Sequence, residues 1–301
     1  MATFRLANAL QEGISMVLNT LFDQFKREKT YLKGVSHNTI IWYDYSYRAF
    51  KNVCGDVSKL SKQILNEFVI GMRQSGISAV TTNNYIRGMN AFFTWLYENE
   101  YTAEHFKIKK VKEAQRVLKV FSDNQLKAII KWKPKGWYQW RLYALLSTII
   151  DTGIRIDEAL SLKRDDINFD DLLIVVTGKG SKQRIIPFSR ELRKIIWRWG
   201  RMHEHQYFFP SRNGNKYMYD NLRRDMKSLA ERLGIKGVRV SPHTLRHYFA
   251  IHFLRRGGDL YTLSRILGHT NIQTTQIYLR SMGIEQIRES HLRLSPLNNL
   301  R

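Results

Sequence analysis

The sequence has few of the features that mark disulfide-linked, zinc-binding or membrane-spanning proteins. Its 301 residues include one cysteine, Cys54, which excludes an internal disulfide and any zinc site built from several cysteines. No uninterrupted apolar run reaches transmembrane length, and the opening stretch "MATFRLANALQEGISMVLNTLF" lacks the layout of a signal peptide. We therefore expect a soluble protein that acts in the cytoplasm, with no membrane partner.

Acidic residues are also scarce. The chain has 26 Asp and Glu against 49 Lys and Arg, which gives a formal net charge of +23. Because such an excess on a folded chain attracts polyanions, it predicts a nucleic-acid partner. With 43% hydrophobic and 12% aromatic residues the chain can bury sizeable cores, so it is not a disordered tail. Its length favours two domains.

The first part of the chain, residues 1–102, is predicted to be helical. The stretches "NTIIWYDYSYRAFKNV" and "TTNNYIRGMNAFFTWLYENE" place apolar and aromatic residues at helical spacing, without strand-like alternation. Residues 103–119 follow as a strongly basic segment. Taken alone, such a run also fits a solvated helix face; between two folded domains we expect a linker that lies along DNA phosphates. Its candidate DNA contacts are Lys107, Lys109, Lys110, Lys112 and Arg116.

The second domain, residues 120–301, mixes helices with one strand pair. A capping box at Ser122 opens a helix, and the apolar stretch "RLYALLSTIIDTG" is typical of a buried helix that ends at Gly153. Two runs rich in β-branched residues, 172–177 and 184–188, flank a turn rich in Gly and Lys. The predicted fold class is mainly α with a small β-sheet (α+β).

The stretch "SPHTLRHYFAIHFLRRGG" predicts an anion site at the start of a helix. Ser241 is suited to the N-cap and Pro242 to the first helical position, which puts His243 and Arg246 on one face of the first turn. A helix N-terminus already favours phosphate. His243 and His247 also have the spacing of a helical zinc pair, but no Glu follows His243 and no cysteine cluster adds ligands. We therefore predict no metal.

The stretch "DLYTLSRILGHTNIQTTQIYLR" predicts a short helix that Gly268 ends, so that the cap fixes His269. Thr270 and Gln273 fit a second capping box, which would open the helix that carries Tyr278. We expect Tyr278 at the edge of an apolar face with its hydroxyl open to a cleft. Taken alone, it could equally be one of the many core or surface tyrosines.

Arg155 follows a helix-ending glycine, and Glu158 is placed three residues later to orient its guanidinium. Both residues belong to the first of four stretches that resemble the catalytic motifs of tyrosine recombinases of the phage-integrase and Xer type. The four stretches occur in the same order as those motifs. They are "TGIRIDEALSL", "TGKGSKQR", "HTLRHYFA" and "LGHTNIQTTQIY". The match runs through the whole second domain. The first domain resembles, with weaker motifs, the helical core-binding (SAM-like) domain of that family.

The resemblance implies a two-domain DNA clamp that cleaves and rejoins DNA through a covalent 3′-phosphotyrosyl intermediate and a Holliday junction. The reaction would serve integration, excision or resolution, with no cofactor and no metal. The implied partners are double-stranded recombination sites and a homotetramer on synapsed DNA, with a second recombinase or a DNA-bending accessory protein left open. The implied catalytic residues are Arg155, Lys179, His243, Arg246, His269 and Tyr278, with Glu158 supporting them and with Lys182 and Arg184 as further DNA contacts.

The residue types suit that chemistry. A phenol attacks poorly until it loses its proton, because its pKa is about 10. Arg155 and Arg246 would hold the scissile phosphate, and Lys179 would protonate the departing 5′ oxygen. His243 could accept the tyrosine proton or hydrogen-bond the phosphate, and His269 could donate a further hydrogen bond.

Three alternatives remain at this stage. A type IB topoisomerase shares the chemistry, but its relatives carry Lys-x-x-Arg where this chain has the His243 motif. A catalytically silent DNA-binding accessory protein would not need all six catalytic residues. A metal nuclease would need ligands that the sequence does not supply. The tail, residues 283–301, is apolar enough to pack on its own domain or to dock into a neighbouring protomer, as the resemblance suggests.

Overall fold

The computed structural model divides the chain into two compact units, Met1–Gln115 and Arg116–Arg301. That division falls inside the basic segment 103–119 for which the sequence predicts a linker. No helix in the described part of the chain is long and apolar enough to cross a membrane. The residues that the structure describes are 15–55, 57, 60–113, 119–178, 183–279, 288, 291–292 and 295–299.

The described part of the first unit is helical, as predicted. Serine side chains accept a backbone N–H at three of its helix starts, which satisfies donors that the helix itself leaves free. Its core is largely aromatic: the rings of Phe22 and Tyr47 stack with centroids 4.0 Å apart, and Phe92 meets Phe22 edge-on at 5.1 Å. The four helices are α1 (Ser15–Tyr31), α2 (His37–Cys54), α3 (Lys62–Gln74) and α4 (Ala79–Glu98).

Part of the predicted linker is bound to α4. The side-chain amide of Asn90 exchanges two hydrogen bonds with the backbone of Ile108, at 2.8 and 2.9 Å, and Asn83 bonds the backbone of Val111 in the same way, at 2.8 Å each. Ile108 is 5% exposed and belongs to the core of the first unit. The neighbouring lysines of the segment are exposed, which leaves them free to meet phosphates: Lys107, Lys109, Lys110 and Lys112. Arg116 lies outside the described residues.

The second unit combines helices with one small antiparallel sheet of order β1-β2-β3. The expected strand pair is present within a residue of the predicted bounds, and Ile174 and Ile186, which face each other across it, are fully buried. Its strands are β1 (Ile167–Asn168), β2 (Leu173–Thr177) and β3 (Gln183–Pro187). Its helices are α5 (Asp123–Lys131), α6 (Gly136–Thr152), α7 (Ile156–Ser161), α8 (Arg190–Gly200), α9 (Tyr219–Arg232), α10 (Pro242–Arg255), α11 (Leu260–Leu267), α12 (Gln273–Gln276) and α13 (Pro296–Asn299).

The buried helix α6 is the centre of this unit. It packs against α8, α9 and α10, and most of its residues from Arg141 to Ile149 are buried. The capping box predicted at Ser122 opens α5, and Ser241 caps α10 with Pro242 at its first position. These local signals set where the helices begin, and therefore which side chains lie at their ends.

Two predicted glycine caps end helices at the future site. Gly153 (φ 63°) ends α6 and Gly268 (φ 64°) ends α11, both in the left-handed region. A Cβ at Gly153 would lie 2.3 Å from Phe249 Cδ1, and one at Gly268 would lie 2.7 Å from Arg184 Cδ. Neither position can therefore take a side chain without moving its neighbour.

Candidate active site

Arg246 lies at the centre of the candidate site. It follows the capped first turn of α10 and is 5% exposed. Its guanidinium donates to the carbonyls of Gly153 and Leu267, at 2.5 and 2.8 Å, and lies 3.1 Å from His269 Nε2. Both carbonyls belong to the C-terminal ends of helices, where the backbone carries partial negative charge. Burial lowers the pKa of Arg246 to about 10, so the group stays a cation at neutral pH.

Arg155 is the second arginine of the site and more exposed, at 38% of its side chain. Its Nη1 donates to Glu158 Oε1 at 3.1 Å, and its backbone N–H donates to the other oxygen of that carboxylate at 3.0 Å. Its Nη2 donates to the Gly268 carbonyl at 2.8 Å. Glu158 thus orients Arg155 from the same turn. Gly268, which ends α11, places its carbonyl against the Arg155 guanidinium.

Arg184 binds the same carboxylate from β3. Its Nη1 and Nη2 donate to the two oxygens of Glu158 at 2.6 and 2.8 Å, and its Nε donates to the Ile266 carbonyl at 3.1 Å. Burial alone would raise the pKa of Glu158, but the hydrogen bonds and charge of Arg184, with those of Arg155, hold it below its usual value. Arg184 was predicted as a DNA contact; the structure places its 15% exposed side chain on Glu158.

His269 is held on three sides. Its backbone N–H donates to the Ser264 carbonyl at 3.0 Å, its Nδ1 lies 2.8 Å from Thr275 Oγ1, and its Nε2 faces Arg246. Because the guanidinium can only donate, this network assigns Nε2 as an acceptor and the proton to Nδ1. Burial and the charges of the neighbouring arginines lower the pKa of His269 to about 4, so the ring is neutral at pH 7.

Tyr278 is buried rather than open to a cleft. Its side chain is 2% exposed and packs in a cluster with Ala250, Leu254, Leu263 and Leu267. Burial raises its pKa, while the charges of the nearby arginines act in the opposite direction. The prediction of an edge tyrosine with a free hydroxyl is therefore wrong for this structure, because the apolar faces of α10 and α11 enclose the ring.

The local structure before Tyr278 also differs from the prediction. The helix α12 spans four residues and has no capping box; Asn271 Oδ1, rather than the Thr270 hydroxyl, accepts the Gln273 N–H at 2.8 Å. Tyr278 follows α12 in a turn in which its N–H donates to the Thr275 carbonyl at 3.1 Å. In this Asx-type turn the Asn271 side chain accepts the backbone N–H that the Thr270 hydroxyl would have accepted in a capping box.

The hydroxyl of Tyr278 contacts a residue that the sequence did not assign to catalysis. It lies 3.0 Å from Nδ1 of His247, which the sequence raised only as half of a zinc pair. His243 lies exposed on the first turn of α10, and its side chain makes no hydrogen bond within the described residues. Neighbouring atoms still partly desolvate its ring, and this desolvation, with the charge of Arg246, lowers the pKa of His243. The sequence signals for His247 were its spacing from His243 and its place directly after Arg246, and neither pointed to a contact with Tyr278.

Lys179 and Lys182, the two hairpin lysines, lie outside the described residues. The strands that flank them end at Thr177 and begin at Gln183, so the hairpin joins β3 one residue before Arg184. Most of the tail 283–301 also lies outside the described part. No group of three or more His, Cys, Asp or Glu side chains that could hold a metal comes together among the described residues.

The site as a whole suits an anion. Arg155, Arg184 and Arg246 surround a single carboxylate, Glu158, and the pKa of His269 leaves it neutral. The result is an excess of fixed positive charge beside a phenol. Such a site can bind a phosphodiester and stabilise the charge that builds on its oxygens during attack.

Comparisons with known proteins agree with this chemistry. The model of the phage integrase family matches residues 119–283. Tyrosine recombinase XerA of Pyrococcus furiosus is 32% identical over 275 residues, which cover 89% of this chain and 92% of the relative. Tyrosine recombinase XerD of Listeria monocytogenes is 29% identical over 283 residues, which cover 87% of this chain and 94% of the relative.

Solved structures share the fold. The Tn1549 transposon integrase in complex with transposon right end DNA matches with a TM-score of 0.77 at 18% identity, over 92% of this chain and 99% of that chain. The XerH recombinase bound to a palindromic difH substrate matches with a TM-score of 0.73 at 18% identity, over 96% and 88%. With a family model over more than half of its length and a relative at 32% identity, the chain belongs to the phage integrase family and is a site-specific tyrosine recombinase.

Proposed function

We propose that Tyr278 is the nucleophile that attacks one phosphodiester in each strand of a double-stranded recombination site. The Tyr278 Oη–P bond forms as the P–O5′ bond breaks, which leaves a 3′-phosphotyrosyl link and a free 5′ hydroxyl. The observation that carries this proposal is the position of Arg246, which the carbonyls of Gly153 and Leu267 hold beside both Tyr278 and His269.

The two arginines would stabilise the transition state. Attack builds negative charge on the non-bridging oxygens, and the planar donor forks of Arg155 and Arg246 match that charge better than lysines would. Arg246 keeps its proton at neutral pH, since its lowered pKa is still about 10. Glu158 and Arg184 would act through Arg155, because Glu158 accepts from Arg155 and Arg184 donates to Glu158.

The remaining groups would handle protons and orientation. Lys179 protonates the 5′ oxygen as it leaves. His243, exposed at the helix N-terminus, hydrogen-bonds the phosphate. His269 holds Arg246, and it donates to the phosphate only in the opposite tautomer, with the proton on Nε2. Because Tyr278 is 2% exposed, the side chains that enclose it must move apart before a phosphate can reach the hydroxyl.

Rejoining reverses the first step. A 5′ hydroxyl from another strand attacks the phosphotyrosine, so the stored bond needs neither ATP nor metal. Two such exchanges pass through a Holliday junction and serve integration, excision or resolution. The Tn1549 integrase and the XerH recombinase were solved in complex with their DNA sites, which supports a double-stranded DNA partner for this chain. We propose a tetramer on synapsed sites in the cytoplasm, closed into a ring by the tail 283–301 docking on a neighbour.

The test is covalent trapping on a nicked suicide substrate, in which the cleaved 5′ end diffuses away. The wild-type protein should form a DNA adduct on a denaturing gel, also in excess EDTA, whereas Tyr278→Phe should form none and bind DNA normally. Tyr248→Phe and Tyr261→Phe are the matched controls. An adduct with Tyr278→Phe would move the role to another tyrosine, and no adduct with the wild type would favour a silent DNA-binding protein.

A further inference from the structure

His247 and Tyr278 form a direct pair that the assigned catalytic residues do not include. His247 Nδ1 lies 3.0 Å from the tyrosine hydroxyl, and the two rings are 5.6 Å apart at 55°. Both side chains are placed by the same helix: His247 follows Arg246 on α10, and Tyr278 packs against Ala250 and Leu254 of that helix. The histidine therefore meets the one atom whose proton must leave before the phosphate is attacked.

The surroundings of His247 keep its ring able to accept a proton. Burial lowers its pKa, and the charges of His243 and Arg246 act in the same direction. Among the described residues, the titratable groups that face it are those two on its own helix, His269 at the end of α11, and Tyr278 itself. A neutral imidazole with its proton on Nε2 presents the Nδ1 lone pair to the phenol.

We propose that His247 accepts the phenolic proton of Tyr278 as the phosphotyrosyl bond forms and returns it when that bond breaks. This rests on the proposed function of Tyr278. In the forward step the proton passes from Tyr278 Oη to His247 Nδ1, Oη bonds to phosphorus, and the 5′ oxygen leaves with a proton from Lys179. In the reverse step a 5′ hydroxyl gives its proton to Lys179, and Tyr278 leaves with the proton of the imidazolium. No proton is gained or lost over the cycle.

The neighbouring groups are less suited to this step. Arg246 is protonated and can only donate. His243 is exposed and makes no hydrogen bond within the described residues. His269 uses Nε2 for Arg246 and Nδ1 for Thr275. His247 is the base that already contacts the hydroxyl.

The experiment measures single-turnover adduct formation on the suicide substrate for His247→Ala, His247→Asn and the matched control His252→Asn. His252 lies on the same helix, and its Nδ1 faces the Tyr248 hydroxyl at 3.4 Å, so it forms a similar pair away from the site. An asparagine side chain can accept the hydrogen bond at the Nδ1 position but cannot take the proton. Both His247 variants should cleave about 10²–10⁴-fold more slowly with unchanged DNA binding, and His252→Asn should cleave at the wild-type rate.

The pH profile separates proton transfer from a structural role. The wild-type rate should fall as pH drops through the pKa of His247, because the imidazolium cannot accept a proton; the lowered pKa puts this limb below the ordinary histidine value of about 6.5. Both His247 variants should lose the limb. A fluorinated tyrosine at position 278, which ionises more readily, should recover part of the rate of His247→Ala.

Several results would overturn the proposal. A wild-type rate in His247→Ala would show that cleavage does not depend on the contact between His247 and Tyr278. A wild-type rate in His247→Asn would show that His247 only hydrogen-bonds the hydroxyl and does not take its proton. An equal loss in His252→Asn would point to helix packing. A substrate with sulfur in place of the bridging 5′ oxygen should rescue Lys179→Ala but neither His247 variant, and rescue of the latter would contradict a role on the nucleophile. Failure of the proposed function would instead appear as a wild-type protein without a Tyr278 adduct.

Discussion

Two arginines of the second unit are almost equally buried but differ in the charge of the groups that contact them. Arg141 is 4% exposed and Arg246 is 5% exposed. The guanidinium of Arg141 lies 3.6 Å from the centroid of the Tyr217 ring, donates to the Pro210 carbonyl at 2.9 Å, and meets the Asp225 carboxylate at 3.5 Å. Its charge is therefore matched inside the protein by a carboxylate and an aromatic face.

Arg246 has no such match among its described contacts. Its hydrogen bonds in the structure go to two neutral carbonyls and a neutral histidine. Burial, together with the charge of Arg155, lowers its pKa to about 10, and the nearby charge of Glu158 offsets this only in part. Burying a cation in this way costs stability. Burial of an arginine therefore does not by itself indicate a functional site. The surroundings of Arg246, which are neutral acceptors and other cations, suit an anionic substrate, whereas those of Arg141 do not.

The largest effect should come from Arg246. Arg246→Ala removes the donor fork beside Tyr278 and should slow adduct formation by about 10³–10⁵-fold, the range for an arginine that stabilises a phosphoryl transition state. Arg246→Lys should recover little, because a lysine cannot bond both the Gly153 and Leu267 carbonyls in the same plane. Single-turnover cleavage measures this. A loss no greater than that of Arg141→Ala would show that Arg246 has no special role in cleavage.

In the proposed mechanism, Lys179 is the cation that gives up its proton, which neither arginine can do. Lys179→Ala should slow cleavage by about 10²–10⁴-fold, the usual effect of one general acid. A substrate with sulfur at the bridging 5′ position needs no proton on its leaving group and should largely rescue the variant. Lys182→Ala is the matched control from the same hairpin. A larger effect at Lys182, or no rescue by sulfur, would assign the acid elsewhere.

Arg141 should affect stability and not chemistry. Arg141→Ala leaves Asp225 without its cation and opens space beside Tyr217, which should lower the free energy of unfolding by about 2–4 kcal/mol. The rate of cleavage per folded molecule should stay at the wild-type value. Urea unfolding followed by single-turnover cleavage separates the two effects. A cleavage defect in the folded variant would mean that a charge-matched arginine also serves the site.

The smallest effect should come from the exposed lysines of the basic segment. If six or more phosphates are contacted, the slope of log K against log[salt] should be about −5 or steeper. Changing Lys107, Lys109, Lys110 and Lys112 to Gln should reduce it by about 0.9 for each lost phosphate contact, without changing the preferred DNA sequence. Binding titrations at several salt concentrations measure this. An unchanged slope would mean that these exposed charges do not meet DNA.

Local chemistry allowed much of the fold to be predicted. The caps at Ser122, Gly153, Ser241 and Gly268 depend on residues within one turn, and each is present in the structure. Such signals need no knowledge of distant parts of the chain. At Thr270 the local reading was wrong, because the side chain of a nearby asparagine competes for the same backbone donor.

The contacts that build the site could not be read from spacing. The Arg246 guanidinium reaches the Gly153 carbonyl across 93 positions, and Arg184 reaches Glu158 across 26. The pair of His247 and Tyr278 spans 31 positions and depends on how α11 folds back on α10. The sequence motifs predicted which residues would belong to the site. Which histidine contacts Tyr278 depends on tertiary packing, which the motifs do not contain.

We propose that Tyr278, beside the buried Arg246, becomes the covalent link to DNA. The most direct measurement is mass spectrometry of the trapped adduct after protease and nuclease digestion. We expect one modified peptide, with the residual nucleotide attached through its 3′ phosphate to Tyr278 and to no other tyrosine. A nucleotide on Tyr248 or Tyr261, or a 5′-phosphate linkage, would contradict it.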